Sequence, residues 1–242
     1  MKHLLLYSLF IFISITSFCQ NQKKIQKSWI KTTIENLSNR EMGPDTLYTR
    51  YTFDKSSLYI SFYPAWDDYK QEWSVTGNDL TIGFDTYRIE ELSDTSLKIA
   101  LDGFRRVKFL SEKYLTTQDK NLIPLGDFNG KPLYKANNYI TPRYSKKVSL
   151  RNIIQKNLEG YNIKKATNFL ATFIVTEEGK VENIQILKGI TEGFDKEIST
   201  QLSKTSKDWH PAYFKGKSIQ TQIIYEIRYL DSLTPFNSGS LH

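Results

Sequence analysis

The sequence predicts an all-β domain, a small up-and-down barrel, followed by an α+β domain whose three-stranded antiparallel sheet is covered by helices. Three observations predict it. From Trp29 to Leu110, short runs of alternating polar and apolar residues recur about every 8–12 residues, the rhythm of antiparallel strands joined by tight turns. From Phe169 onward come two alternating runs, one helical repeat and one long final alternation. Between these halves the periodicity fades and Pro and Gly collect. A chain of 242 residues has room for two cores, and an aromatic content of 14% excludes disorder as its general state.

The expected boundaries are a signal peptide at 1–19, a barrel at 28–112, a linker at 113–147, an α+β domain at 148–231 and a tail at 232–242. In the leader, Lys2 and His3 precede Leu4–Phe18, an apolar stretch broken only by Ser and Thr. It is shorter than the roughly 20 residues a spanning helix needs and suits a secretory segment. Cleavage after Ser17-Phe18-Cys19 removes the only Cys, so the mature chain is expected in the periplasm or associated with the outer membrane. Lipidation of Cys19 and an uncleaved anchor stay open as other readings. Contact with a membrane surface is compatible with the sequence, spanning after the leader is not.

Candidate barrel strands are Trp29–Leu37, Leu47–Phe53, Leu58–Tyr63, Lys70–Thr76, Leu80–Phe84, Thr86–Leu92, Leu97–Leu101 and Arg105–Leu110. Leu58, Ile60 and Phe62 share a face, as do Leu80, Ile82 and Phe84, because successive strand side chains point to opposite sides. Gly77-Asn78-Asp79, Ser93-Asp94-Thr95 and Asp102-Gly103 supply turn chemistry. Closure removes exposed edges, which favours a barrel. Trp29 opening the first strand, Tyr51-Thr52-Phe53, and the strand–turn run to Arg105-Arg106-Val107-Lys108-Phe109 resemble the lipocalin-like domains of exported bacterial proteins. Lys27 stands where that family usually has glycine. The resemblance implies a small lipophilic ligand in the barrel mouth, with Tyr63, Trp66, Tyr69 and Trp73 as candidate contacts. Filling of the barrel by its own side chains is the competing reading.

In the linker, Pro124, Gly126, Gly130, Pro132 and Pro142 read as turns. Ser149 is placed to cap a helix carrying Leu150, Ile153, Ile154 and Leu158 on one face, ended by Gly160. Residues 131–165 hold nine basic side chains and one acid, Glu159. An acidic partner or an anionic surface suits that segment. Nucleic acid is not expected, since no recognition helix or glycine-rich loop accompanies the charge.

Phe169–Thr176 and Val181–Lys188 form the next two strands, with Ile184 and Ile186 out of step with Val181, the mark of a bulge. Phe194, Ile198 and Leu202 repeat at helical spacing, and Ile219–Leu230 alternates throughout. The stretches Phe173–Val181, Ile184–Gly189, Gly193-Phe194-Asp195, Trp209-His210-Pro211-Ala212 and Lys215–Ile219 stand in the order of the TonB C-terminal domain family, which this half resembles. The resemblance implies recognition of an envelope or outer-membrane protein by strand addition at the edge of the last strand. Gln220, Gln222, Ile224, Glu226 and Arg228 would be the protein-binding residues. It also implies TonB-type transport across the outer membrane as an alternative. A cleaved leader and dispersed prolines argue against an energy transducer.

Chemistry is not expected. His210 is the only His in either predicted domain, the mature chain has no thiol, and the adjacent pairs Asp67-Asp68 and Glu90-Glu91 point to opposite faces. No phosphate loop, nucleophile elbow or metal-ligand spacing occurs, so neither cofactor nor metal is predicted.

Overall fold

The computed structural model describes residues 21–37, 49–62, 67–145, 150, 152, 154, 161, 167–229 and 235–236. The predicted leader, Ser149 and Gly160 lie outside them, as does most of the tail. Two compact units divide the chain: Met1–Ser61 with Tyr69–Tyr114, and Phe62–Asp68 with Leu115–His242.

The first unit is a closed antiparallel barrel of eight strands in chain order. They are β1 (Ser28–Asn36), β2 (Thr49–Phe53), β3 (Ser57–Phe62), β4 (Asp67–Thr76), β5 (Asp79–Ile82), β6 (Asp85–Leu92), β7 (Ser96–Leu101) and β8 (Arg105–Ser111). β8 returns to β1, pairing Trp29 with Ser111 and Asn36 with Arg105, and one irregularity falls between Lys31 and Thr33. Closure leaves no strand rim in this sheet exposed. The inward side chains fill it: Trp29, Leu58, Leu80, Leu97, Ile99 and Phe109 are buried almost completely. At this strand number a barrel interior is just wide enough to be filled by side chains or to hold one small ligand, and here side chains fill it.

One end of the barrel is covered by the segment before β1, where residues 21–25 make a helical turn. Ile25 is fully buried and its carbonyl accepts the Trp29 indole N–H at 2.9 Å. Asn21 donates to the Gly77 carbonyl at 3.2 Å, and Lys27 to the Asp94 carbonyl at 2.8 Å. These bonds tie the segment to the β4–β5 and β6–β7 turns. Beneath it, Arg50 pairs with Glu112 at 2.8 Å with both side chains mostly buried.

The second unit is a mixed sheet, larger than the three antiparallel strands expected. Its strands are β9 (Pro124–Phe128), β10 (Lys131–Lys135), β12 (Thr167–Val175), β13 (Val181–Lys188) and β16 (Lys217–Tyr229), in the spatial order β13-β12-β16-β10-β9. β15 (Ala212–Phe214) and β17 (Pro235–Phe236) also pair with β16, while β11 (Arg143–Tyr144) pairs with β14 (Trp209–His210). Residues 113–147, expected as a linker, therefore carry three strands. The prolines and glycines that suggested turns sit where a sheet tolerates them. Pro124 opens the outermost strand, and Pro132 stands just before Leu133, where parallel pairing with β16 begins. Asn129 and Gly130, both at positive φ, make the two-residue hairpin turn between β9 and β10.

The expected bulge is present in β13: Asn183 has φ 50° and the register with β12 shifts between Thr172 and Ile174. Helix α1 (Glu192–Lys204) starts at Thr191, whose side chain accepts from the Phe194 amide. It lays Phe194, Ile198 and Leu202 on the sheet, where they join Leu150, Ile154, Phe169, Phe173, Ile223 and Tyr225 in one core. Leu150 and Ile154 lie on helical backbone, while Ile153 and Leu158 of the predicted repeat lie outside the described residues. Trp209 closes the core beside Phe173 and Tyr144, its indole N–H bonded to Thr205 Oγ1 at 3.1 Å. No helix of the described residues is long and apolar enough to cross a membrane.

Candidate functional site

β16 is not a free edge. On one side it runs antiparallel to β12 along Thr221–Tyr229. On the other, Gln220–Gln222 pair with β10 and Arg228 and Tyr229 with β17, while Lys217–Ile219 form a hairpin with β15. The expected selectors take different roles. Gln220 is 3% exposed and its amide donates to the Phe128 and Lys131 carbonyls at 2.9 and 2.8 Å, pinning the β9–β10 hairpin. The Gln222 carbonyl accepts from the Ala136 amide at 2.9 Å. Ile224 is exposed and Glu226 half-buried, while the side chain of Arg228 lies outside the described residues. The cause is topological: a hairpin built from the supposed linker occupies the Gln220–Gln222 part of the rim that alternation alone leaves unassigned. The rims at the ends of the strand order are β9 and β13, and each is bulged, which blunts pairing with another chain.

The predicted barrel contacts also separate. Tyr63 and Trp66 lie outside the described residues. Trp73 is 6% exposed, packs edge-on against Phe53 with centroids 4.9 Å apart, and donates its indole N–H to the Asp54 carbonyl at 2.8 Å. It belongs to the core. Tyr69, four residues earlier on the same face of β4, is 56% exposed. It marks the barrel end opposite the N-terminal helical turn.

That end carries the β5–β6 and β7–β8 turns. β5 stops at Ile82, not at Phe84 as the alternation suggested, so Phe84 projects from the turn and is fully exposed. Phe104, on the next turn, is 57% exposed, and its carbonyl accepts the amide of Leu37, itself exposed. An Arg88–Asp102 pair at 3.2 Å joins β6 to the β7–β8 turn. Leu37, Tyr69, Phe84 and Phe104 thus form an apolar rim at one end of the barrel.

Inside the rim sits a polar cluster. Arg105 opens β8 on the face that also carries buried Val107 and Phe109. Its Nη2 donates to the Tyr87 hydroxyl at 2.8 Å, and Tyr87 donates to Asp85 Oδ2 at 3.3 Å. The direct distance from Arg105 to Asp85 is 4.0 Å, and the Nε–H of Arg105 is buried without a hydrogen-bond partner. Tyr51 packs at a tilt against Phe109 with ring centroids 4.8 Å apart and completes the wall. Burial pushes the Tyr87 hydroxyl above its ordinary pKa. Burial also works against the Arg105 charge, but the Tyr87 hydroxyl, Tyr51 and Asp85 outweigh it and hold that pKa above the ordinary value. Arg105, Tyr87 and Tyr51 were not among the sequence candidates. Their signal was a cation at inward parity with Val107 and Phe109, two and four residues away.

Among the described residues, no three His, Cys, Asp or Glu side chains converge to hold a metal. The fold and site define a class: a closed eight-stranded antiparallel barrel joined to a separate sheet domain partly covered by helices. Comparison with family models, curated proteins and solved structures finds no match.

Proposed function

We propose that this is an exported, non-catalytic binding protein of the cell envelope, and that its barrel takes a small lipophilic ligand at the end bearing Tyr69, Phe84 and Phe104. The observation that carries the reading is the asymmetry of the barrel. The segment before β1 covers one end, while exposed large apolar side chains gather at the other. Isolated exposed aromatics are ordinary, but several at one end of a closed barrel mark a binding surface. The resemblance to lipocalin-like domains points the same way. Because the interior is filled, the ligand lies across the rim, not deep in the barrel. The neutral fluorophore N-phenyl-1-naphthylamine is expected to brighten on titration, and the Phe84→Ser/Phe104→Ser variant to lose that response. No brightening with the parent protein would overturn the reading.

A protein partner for the second domain is a second reading. The chain order β12, β13, α1, β16, with the three strands antiparallel, supports this reading. The partner would engage exposed side chains such as Leu187 and Ile224, since β10 and β17 occupy the two ends of the β16 rim. Export belongs to the same proposal: intact mass of the envelope-derived protein is expected to start at Gln20, and retention of Met1 would reopen transport as the function.

A further inference from the structure

Arg105 makes the barrel rim chemically asymmetric. A buried guanidinium N–H without an acceptor is a costly feature that native structures seldom leave unexplained. Its polar neighbours are the Tyr87 hydroxyl, the Tyr51 phenol and one carboxylate, Asp85, which stands at the 4.0 Å limit of an ion pair. Arg50, whose guanidinium is also buried, contrasts with it because Glu112 contacts that guanidinium at 2.8 Å. The Arg105 side chain is 39% exposed, so its charge faces the end where Phe84 and Phe104 project. A planar guanidinium fork fits a carboxylate or phosphate oxygen pair, and a hydrogen bond from a charged donor is stronger than a neutral one. One cation set within an apolar rim complements one class of molecule.

We propose that the barrel end binds a single-chain anionic amphiphile, its carboxylate or phosphate head on Arg105 beside the Tyr87 hydroxyl and its chain over Phe84 and Phe104. This deepens the lipophilic-ligand reading and rests on it. Asp85 is the competing anion at the site. Its removal frees Arg105 for the ligand, while removal of Arg105 leaves an apolar surface with no preference for charge.

The test uses decanoate, decyl phosphate and decanol as probes of equal chain length, titrated into the full-length mature protein and followed by amide chemical shifts of Phe84, Phe104 and Arg105. Decanoate or decyl phosphate is expected to bind roughly ten- to a hundredfold more tightly than decanol, the range a charge-assisted hydrogen bond supplies. The tighter of the two anions identifies the head group. Arg105→Gln is expected to erase the preference while decanol still binds. Should that variant fail to fold, Asp85→Asn provides the independent arm, with tighter binding of the anionic probes and unchanged decanol affinity. Equal affinity for decanol and both anions overturns the inference and leaves the lipophilic reading standing. Absence of shifts with all three overturns both.

Discussion

Arg106 and Arg105 are neighbours in β8 and face opposite ways, and the contrast separates a structural charge from a binding one. Arg106 points outward and is saturated: its Nε bonds Glu90 Oε2 at 2.7 Å and its Nη1 bonds Glu35 Oε2 at 2.8 Å. These carboxylates sit on β6 and β1, so one guanidinium stitches strands on different parts of the barrel wall. The hydrogen bond from Arg106 holds Glu90 below its ordinary pKa of 4.5, with Lys98 adding to the effect. A carboxylate with a depressed folded-state pKa contributes stability above its unfolded value, and the contribution is lost as pH falls through the folded one. The urea midpoint is therefore expected to decline as pH drops from neutrality to below 4.5. In Arg106→Gln the decline should be shallower, and an identical pH profile in both proteins would show that the pair carries no linkage. The network is exposed, so the effect is modest and weakens with salt.

The β9–β10 hairpin decides what the second sheet can do, and it was the element least legible in the sequence. β13, α1 and β16 were readable because each carries its own period, and even the β13 bulge showed as Ile184 and Ile186 falling out of step with Val181. Residues 124–135 carry no such period. Two prolines and two glycines fall within twelve positions, and the short strands take their identity from a distant partner: Leu133, Tyr134 and Lys135 pair in parallel with Gln220, Thr221 and Gln222. Only Asn129-Gly130, a two-residue hairpin turn, signalled strands there. Non-local pairing leaves no local pattern, which is why β16 read as an open edge. The same blindness affected the site. Trp73 and Tyr69 share strand spacing, but only coordinates separate a core indole from a rim phenol. Gln220 is the joint between hairpin and sheet. Gln220→Ala removes two hydrogen bonds from a buried amide and is expected to cost about 1–3 kcal/mol. Hydrogen exchange should accelerate at Leu133, Tyr134 and Lys135 before it does at Phe169 or Phe173. Uniform acceleration across the sheet would place the lost energy elsewhere.

At the scale of the molecule, the barrel and the sheet domain each own a core, one around Trp29, Leu58, Leu97 and Phe109, the other around Phe169, Phe194, Trp209 and Ile223. Units of this kind unfold with their own free energies, a property that hydrogen exchange resolves. Gly179 provides the lesion to test it. It sits at φ 76° in the β12–β13 turn, its carbonyl accepts from the Lys207 amide at 3.0 Å, and any Cβ there would collide with the Trp209 carbonyl oxygen. Gly179→Ala therefore adds the cost of a left-handed alanine to displacement of backbone beneath a core tryptophan. A penalty of at least ~2 kcal/mol follows. Amides of β12, β13 and β16 are expected to lose protection by that amount, while those of Leu58, Leu97 and Ile99 in the barrel keep theirs. Equal losses in both sets would mean that the chain unfolds as one cooperative body. Retained barrel protection would also license the ligand titrations, because rim binding by Phe84, Phe104 and Arg105 should then survive a damaged second domain unchanged.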